Sequence, residues 1–210
     1  MTFSTLFVDL DDTVYPKSSG LWQAIRRRLD QYMLEQMHFP ANEIPVLREH
    51  LFTTYGTTMR GLQALYHIDT QEYLAYVHDV PLGNFIQPDL ATRAALHCLP
   101  QRKIIFTNAD TNHARRVLDV LEIGDCFDQI IDINAMSPYC KPMTEAFQIA
   151  LQAAGEKDAT HCVMIDDLPR NLAAARRLGF YTIRVGSVEP SSQYHGGIEH
   201  LSDLGPAINL

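Results

Sequence analysis

Seven side chains with usable chemistry stand at or just beyond the ends of short apolar runs. Asp9 and Asp11 follow Leu6-Phe7-Val8, Thr107 and Asn108 follow Ile104-Ile105-Phe106, and Asp166 and Asp167 follow Val163-Met164-Ile165. Lys141 lies a loop beyond the weaker run Ile130-Ile131-Asp132-Ile133. Carboxylate oxygens held close together favour a hard divalent cation such as Mg2+. A lysine among them offsets the charge of a phosphate, and one carboxylate can serve as a covalent nucleophile.

Elements must bring these residues to one place. Apolar runs this short, with little alternation, suit strands buried on both faces of a parallel sheet. Open α/β sheets bind ligands at the carboxyl ends of their strands, so the polar residues ending the runs would share one crevice. Helical periodicity fills the intervals. Ala114, Val117, Leu118 and Leu121 share a face over 111–121, and Ala146, Phe147, Ala150, Leu151 and Ala154 share one over 143–154, with Gly155 as a stop. Pro169 opens a third helix ending near Gly179. Strand and helix alternate from about 102 to 185, which predicts an α/β fold with a doubly wound parallel sheet.

Residues 15–88 read differently. Leu21, Ile25, Leu29, Tyr32 and Met33 form a helical stripe, and further helical segments follow near 42–54, 57–67 and 70–79, broken by Pro40, Gly56 and Pro81. The expected organisation is a core from 1–14 and 89–210 with a small helical unit, 15–88, inserted after the first strand. Residues 186–210 are turn-rich and polar and read as a C-terminal extension.

Composition narrows the partners. With 210 residues, 46% hydrophobic and 20% charged, the chain is ordinary for a soluble domain. A net charge of −8 argues against a broad nucleic-acid or anionic-membrane surface. No secretory signal and no apolar stretch near the roughly 20 residues of a membrane span is visible, so a cytoplasmic setting is expected. Cys98, Cys126, Cys140 and Cys162 lack C-x-x-C spacing and read as small core residues; His97-Cys98 and His161-Cys162 stand without the further ligands of a zinc site.

Asp9-Leu10-Asp11-Asp12-Thr13 resembles the D-x-D-x-T first motif of the haloacid dehalogenase superfamily. Thr107-Asn108 resembles its second motif, Lys141-Pro142 its third and Ile165-Asp166-Asp167 its fourth, in order over nearly the whole chain. The resemblance implies a Rossmann-like core with an inserted cap, and a Mg2+-dependent phosphatase. Asp9 would attack phosphorus and carry an aspartyl-phosphate; Asp11 would be the general acid/base, with a pKa raised by neighbouring carboxylates. Thr107, Asn108 and Lys141 form the implied phosphate-binding set, Asn108 mainly shaping the loop with Thr13. Asp9, the backbone carbonyl of Asp11, and Asp167 would hold Mg2+, supported by Asp166 and, on an alternative to simple helix-start packing, by Asn171.

Tyr55-Gly56-Thr57-Thr58-Met59-Arg60-Gly61-Leu62, with Asp11–Pro16 and Phe106–Ala109, is similar to the pyrimidine 5′-nucleotidase group. That implies nucleoside 5′-monophosphates such as UMP or CMP as substrates, with Tyr55, Thr58 and Arg60 as nucleoside contacts in the cap. A sugar-phosphate or phosphoglycolate phosphatase shares the same catalytic set. A dehalogenase has no need of Asp11, and a silent scaffold has no need of the full set. One departure stands out: Glu122 occupies the place where this group has a glycine after the helix ending near Leu121.

Overall fold

The computed structural model describes residues 3–208. Among them, six strands form one parallel sheet: β1 (Thr5–Val8), β2 (Arg102–Phe106), β3 (Gln129–Ile131), β4 (Cys162–Asp166), β5 (Tyr181–Val185) and β6 (Gly196–Ile198), in the order β3-β2-β1-β4-β5-β6. Every residue of β1 and β4 is buried, as the unalternating apolar runs require. The order reverses at β1, so the crevice of this doubly wound sheet opens beside it. Val8 pairs with Ile105 on one side and Ile165 on the other, which brings Asp9 level with Phe106 and Asp166.

Four helices make up the insertion after β1: α1 (Leu21–Glu35), α2 (Ile44–Tyr55), α3 (Thr58–Tyr66) and α4 (Thr70–Val77). The remainder are α5 (Leu90–His97), α6 (Thr111–Val120), α7 (Thr144–Ala154), α8 (Pro169–Arg177) and α9 (Leu204–Ile208). Local signals explain their bounds. The Asp110 carboxylate caps α6 by accepting from His113 N, Pro169 takes the first turn of α8, and Gly155 ends α7 at φ +71°. No helix among the described residues is long and apolar enough to cross a membrane.

Apolar layers cover both faces of the sheet. Leu6, Val8, Ile105, Val163, Ile165 and Ile183 pack with Leu96, Val117 and Leu118 on one face. Phe7, Ile104, Phe106 and Met164 pack with Phe147, Ala150, Leu172 and Ala175 on the other, where Phe7 meets Phe106 and Phe180 edge-on. A third cluster lies within the inserted helices, from Leu29, Tyr32, Met33, Leu51, Leu62 and Tyr73, closed by Ile133 and Cys140 of the sheet domain. Both stems of the insertion are rooted in the first layer, since Leu21, Ala24 and Ile25 on one side and Val80, Leu82 and Ile86 on the other belong to it.

Two expectations are corrected. Residues 186–208, expected as part of a C-terminal extension, join the core: β6 adds an edge strand to β5, and α9 packs Leu204 and Ile208 into it. The strand escapes a propensity reading because two of its three residues are glycine, and a Cβ on Gly197 would lie 2.1 Å from Ser187 O. Of the four cysteines, Cys98 is exposed; the other three are buried. Glu122, standing where the resembled group has a glycine, adopts a left-handed φ of +56°, a region that glycine favours.

Candidate active site

Asp9 sits one residue past the central strand, its amide donating to Ile165 O at 2.9 Å. Lys141 reaches it from the loop after β3: Nζ donates to Asp9 Oδ1 at 2.7 Å and to Asp166 Oδ2 at 2.9 Å. The ammonium is 1% exposed and Asp166 is 0% exposed, so this is a buried ion triad. Such a triad is costly unless each remaining lone pair finds a donor. Asn171 Nδ2 donates to Asp166 Oδ1 and Oδ2 at 3.1 and 3.0 Å, Leu168 N donates to Oδ1 at 2.9 Å, and the Thr13 hydroxyl donates to Asp9 Oδ2 at 3.3 Å. Asn171, in the first turn of α8, therefore orients a carboxylate.

Burial pushes the Asp9 carboxyl up; Lys141 pulls it down and Asp166 raises it again, leaving it at about 7. Burial, with Asp166, Asp9 and Asp12 nearby, pushes Asp167 to about 8. Burial would lower Lys141, but Asp166 and Asp9 outweigh it and raise the ammonium above its ordinary value. Carboxylates packed this closely with a single lysine are short of positive charge. Asp9, Asp166 and Asp167 each offer an oxygen within 4.8 Å of the others, an all-oxygen donor set that suits a hard divalent cation.

Asn108 departs from its expected place in the phosphate-binding set. Its side-chain amide is committed to the backbone of Lys141, Nδ2 to O at 3.0 Å and N to Oδ1 at 2.9 Å, so it holds the lysine loop. Thr107 is buried beside it, its hydroxyl accepting from Ala109 N at 2.9 Å while its own proton remains available.

Asp11 is ringed by donors instead of carboxylates. Its Oδ1 accepts from the Tyr15 hydroxyl at 2.6 Å and lies 3.0 Å from His113 Nε2. Burial pushes the carboxyl up, but His113 and Tyr15 outweigh it and hold it below the ordinary aspartate value. The expected upward shift is therefore absent in the free protein. His113 itself stacks on His78 at 4.1 Å between ring centroids. Burial works against the charge of Asp110, yet its hydrogen bond from His78 holds it at about 2. Being ionised, it only accepts, so His78 Nδ1 donates across 2.6 Å.

These groups line a cavity of about 290 Å³ between sheet and inserted helices. Asp9, Asp11, Asp12, Thr107, Asn108, Lys141 and Asp167 form its floor; Trp22, Ile25, Arg26, Arg48, Phe52, Thr57, Thr58, Met59 and Tyr73 form much of its roof. Of the three expected cap contacts only Thr58 lines it. Arg60 is buried and turned away: its guanidinium donates to Ile133 O at 2.6 Å and Tyr139 O at 3.0 Å, fastening the insertion to the sheet domain. Tyr55 is not among the lining residues; its carbonyl accepts from Cys140 Sγ. Arg170 makes a second fastening, donating to Phe52 O at 3.2 Å and Gly56 O at 2.6 Å while its guanidinium lies 3.5 Å from the centre of the Phe52 ring.

Sequence reasoning missed His113, Tyr15 and His78 as functional neighbours. The signal for His113 was its place in the first turn of the helix after Thr107-Asn108, where a side chain faces the strand-end crevice. His78 had none, because its partner is distant in the chain.

Comparison with known proteins agrees with this geometry. A sequence model of haloacid dehalogenase-like hydrolases matches residues 3–179. Phosphate metabolism protein 8 of Saccharomyces cerevisiae is 29% identical over 187 residues, covering 82% of this chain; the chain spans 58% of that relative's length. Among solved structures, the HAD-hydrolase YfnB from Bacillus subtilis, described as bound to magnesium, superposes with a TM-score of 0.66 at 17% identity over the whole of both chains. A 2-haloacid dehalogenase from Pseudomonas syringae pv. Tomato superposes at 0.62 with 21% identity, covering 98% of this chain and 97% of that one. With its four motifs folded into one crevice and the family match running across the first four of its six strands, the chain belongs to the haloacid dehalogenase-like hydrolases.

Proposed function

We propose that this hydrolase is a Mg2+-dependent phosphomonoesterase working through an aspartyl-phosphate on Asp9, with pyrimidine nucleoside 5′-monophosphates as its substrates. The observation that carries the reading is a pair of carboxylates two residues apart on one cavity floor, in opposite surroundings. Asp9 lies among acids beside Lys141, whereas Asp11 is held by the Tyr15 hydroxyl and the His113 ring. Such a split suits a nucleophile and a separate proton carrier.

In the first step a carboxylate oxygen of Asp9 bonds to phosphorus as the ester P–O bond breaks. Asp11 gives its proton to the departing alkoxide. In the second step a water attacks the aspartyl-phosphate, Asp11 takes the water's proton, and Asp9 is released with inorganic phosphate. Asp11 must be protonated at the outset, and a phosphate dianion arriving beside it raises its pKa from the low free value. Lys141 and the Thr107 hydroxyl stabilise the charge on the transferring oxygens. Asp9, Asp167 and the Asp11 carbonyl would hold Mg2+, with Asp166 supporting; when bound, the cation supplies charge neutralisation on the phosphoryl oxygens.

The roof supports the substrate reading. Trp22, Phe52, Met59 and Tyr73 give an apolar and aromatic lining suited to a flat base, with Thr57 and Thr58 as polar contacts. The yeast relative's name, phosphate metabolism protein 8, is consistent with a phosphorylated substrate. Asp11, dispensable for dehalogenation, supports phosphoryl transfer over that reaction.

Phosphate release from a panel of nucleoside monophosphates, sugar phosphates and phosphoglycolate, with Mg2+ and beside Asp9→Asn, tests the proposal. Preference for UMP or CMP that Asp9→Asn abolishes is the expected result. Turnover of sugar phosphates or phosphoglycolate alone would retain the chemistry and overturn the nucleotide assignment. Silence across the panel, with release of halide from 2-haloacids, would overturn both.

A further inference from the structure

Two donors converge on a single oxygen of Asp11. The Tyr15 hydroxyl lies 2.6 Å and His113 Nε2 3.0 Å from Oδ1, whereas Oδ2 has no hydrogen-bond partner among the described residues although Asp11 borders the cavity. Both donors are rigidly held. Tyr15 is 2% exposed and follows the tight turn in which Val14 N donates to Leu10 O at 2.9 Å. His113 is 1% exposed; its backbone N donates to Asp110 Oδ1 at 2.9 Å, and its ring stacks on that of His78, whose Nδ1 is bonded to Asp110 Oδ2. Asp110 thus fixes both imidazoles, one through the backbone and one through the ring. Arg116 adds a clamp by donating to the carbonyls of His78 and Val80 at 2.9 Å each.

We infer that Tyr15 and His113 are positioning residues that pin Asp11 by Oδ1, so that Oδ2 is the atom that carries the proton to and from the reacting oxygens. A carboxylic acid bears its proton on one oxygen, and the oxygen already accepting two hydrogen bonds is the poorer place for it. Tyr15 and His113 therefore choose the proton-bearing atom without exchanging protons with substrate themselves. In the first step the Oδ2–H bond breaks as the leaving oxygen gains the proton; in the second, Oδ2 receives a proton from the attacking water. His113 Nδ1 is buried without a partner among the described residues, so Nε2 on Asp11 is the ring's one hydrogen-bonding contact. The inference rests on the reading of Asp11 as general acid/base.

The test compares leaving groups in the Mg2+-loaded protein. An aliphatic phosphate ester, the best of the panel above, needs its leaving oxygen protonated, whereas 4-nitrophenyl phosphate expels a weakly basic phenolate and needs little help. Asp11→Asn serves as the control. Tyr15→Phe and His113→Ala are expected to lower kcat on the aliphatic ester by about 10–100-fold, part of the range for losing general acid catalysis. They should change its KM by less than about threefold, and should change by less than about threefold kcat/KM on 4-nitrophenyl phosphate, which reports phosphoryl transfer to Asp9 and not the later hydrolysis that also uses Asp11. His113→Gln, which can place an N–H near Nε2, should recover most of the loss. Should His113→Ala not fold, Tyr15→Phe carries the same comparison by deleting one hydroxyl. Equal losses of kcat/KM on both esters, or no loss on either, with a wild type that is active and sensitive to Asp11→Asn, would overturn the inference alone. A wild type inactive on both esters would overturn the phosphatase reading and this inference with it.

Discussion

The side chain of Asn108 and the backbone of Lys141 exchange two hydrogen bonds, so that an amide at the end of β2 stands in for a strand partner of the residue carrying the buried ammonium. The lysine is thereby fixed at its backbone and at its Nζ. Asn108→Ala should keep the fold, costing about 1–2 kcal/mol of stability for the lost pair. It should lower kcat by about 10–100-fold, because a small misplacement of a charge-stabilising group is costly. Melting curves beside steady-state kinetics decide it, and unchanged kcat in a folded variant would refute this role.

Lys141→Met leaves Asp9 and Asp166 facing each other without their shared cation. Removal of one member of a buried ion group costs about 3–5 kcal/mol. The metal-free variant should therefore unfold at markedly lower urea concentration, and its phosphate release should fall at least a hundredfold with Mg2+ present. A variant as stable and active as the wild type would show that the triad is dispensable.

In the metal-free protein Asp9 and Asp167 keep their protons up to about pH 7 and 8, whereas an unfolded aspartate releases its proton near 4. The folded state then binds more protons than the unfolded one, so their stabilising contribution is present at low pH and lost as pH rises through 7 and 8. His78, lowered by burial first and by His113 next, opposes this only below its ordinary 6.5, and Asp110 only between about 2 and 4. The melting temperature in EDTA should therefore decline from pH 6.5 to 8.5, and saturating Mg2+ should flatten the decline by occupying the same carboxylates. A metal-free melting temperature that climbs over this interval would contradict the assignment.

Arg60 and Phe52 should separate structure from selectivity. Arg60→Ala strips two carbonyls of their donor and should cost about 1–3 kcal/mol with the ranking of substrates intact. Phe52→Ala and Thr58→Val alter the cavity roof and should reorder that ranking in the phosphate-release panel. A reordering by Arg60→Ala alone would return the guanidinium to substrate recognition.

Gly56, between α2 and α3, lies against the lysine loop. At φ +84°, a Cβ there would lie 2.6 Å from Cys140 Sγ and 3.3 Å from Lys141 O. Gly56→Ala should thus displace that loop and reduce kcat more than Arg170→Ala, which removes a fastening but inserts nothing. Equal effects would place the contact outside the catalytic geometry.

The strands bearing the acids were legible because runs buried on both faces cannot alternate, and each ends where a polar residue begins. The acids, lysine and threonine followed from that rule. The cap contacts did not: Tyr55, Thr58 and Arg60 share a stretch, yet only Thr58 faces the cavity, and helix phase decides that more finely than composition does. His78 and His113 were invisible as a pair because 35 residues of chain separate two rings that stack. The edge strand Gly196–Ile198 was hidden by its two glycines, of which Gly197 lets the backbone pass close to Ser187.

The strand order has a consequence for biogenesis. β1 carries Asp9 near the start of the sequence, but its two neighbours begin only at Arg102 and Cys162. During vectorial synthesis Asp9 emerges long before the strand that completes its surroundings, and such distant pairing is slow to form. A nascent chain stopped short of β4 would present Asp9 without Asp166 or Asp167. Enzymatic competence in this topology is acquired late, and activity reports on completion of the polypeptide as well as on its chemistry.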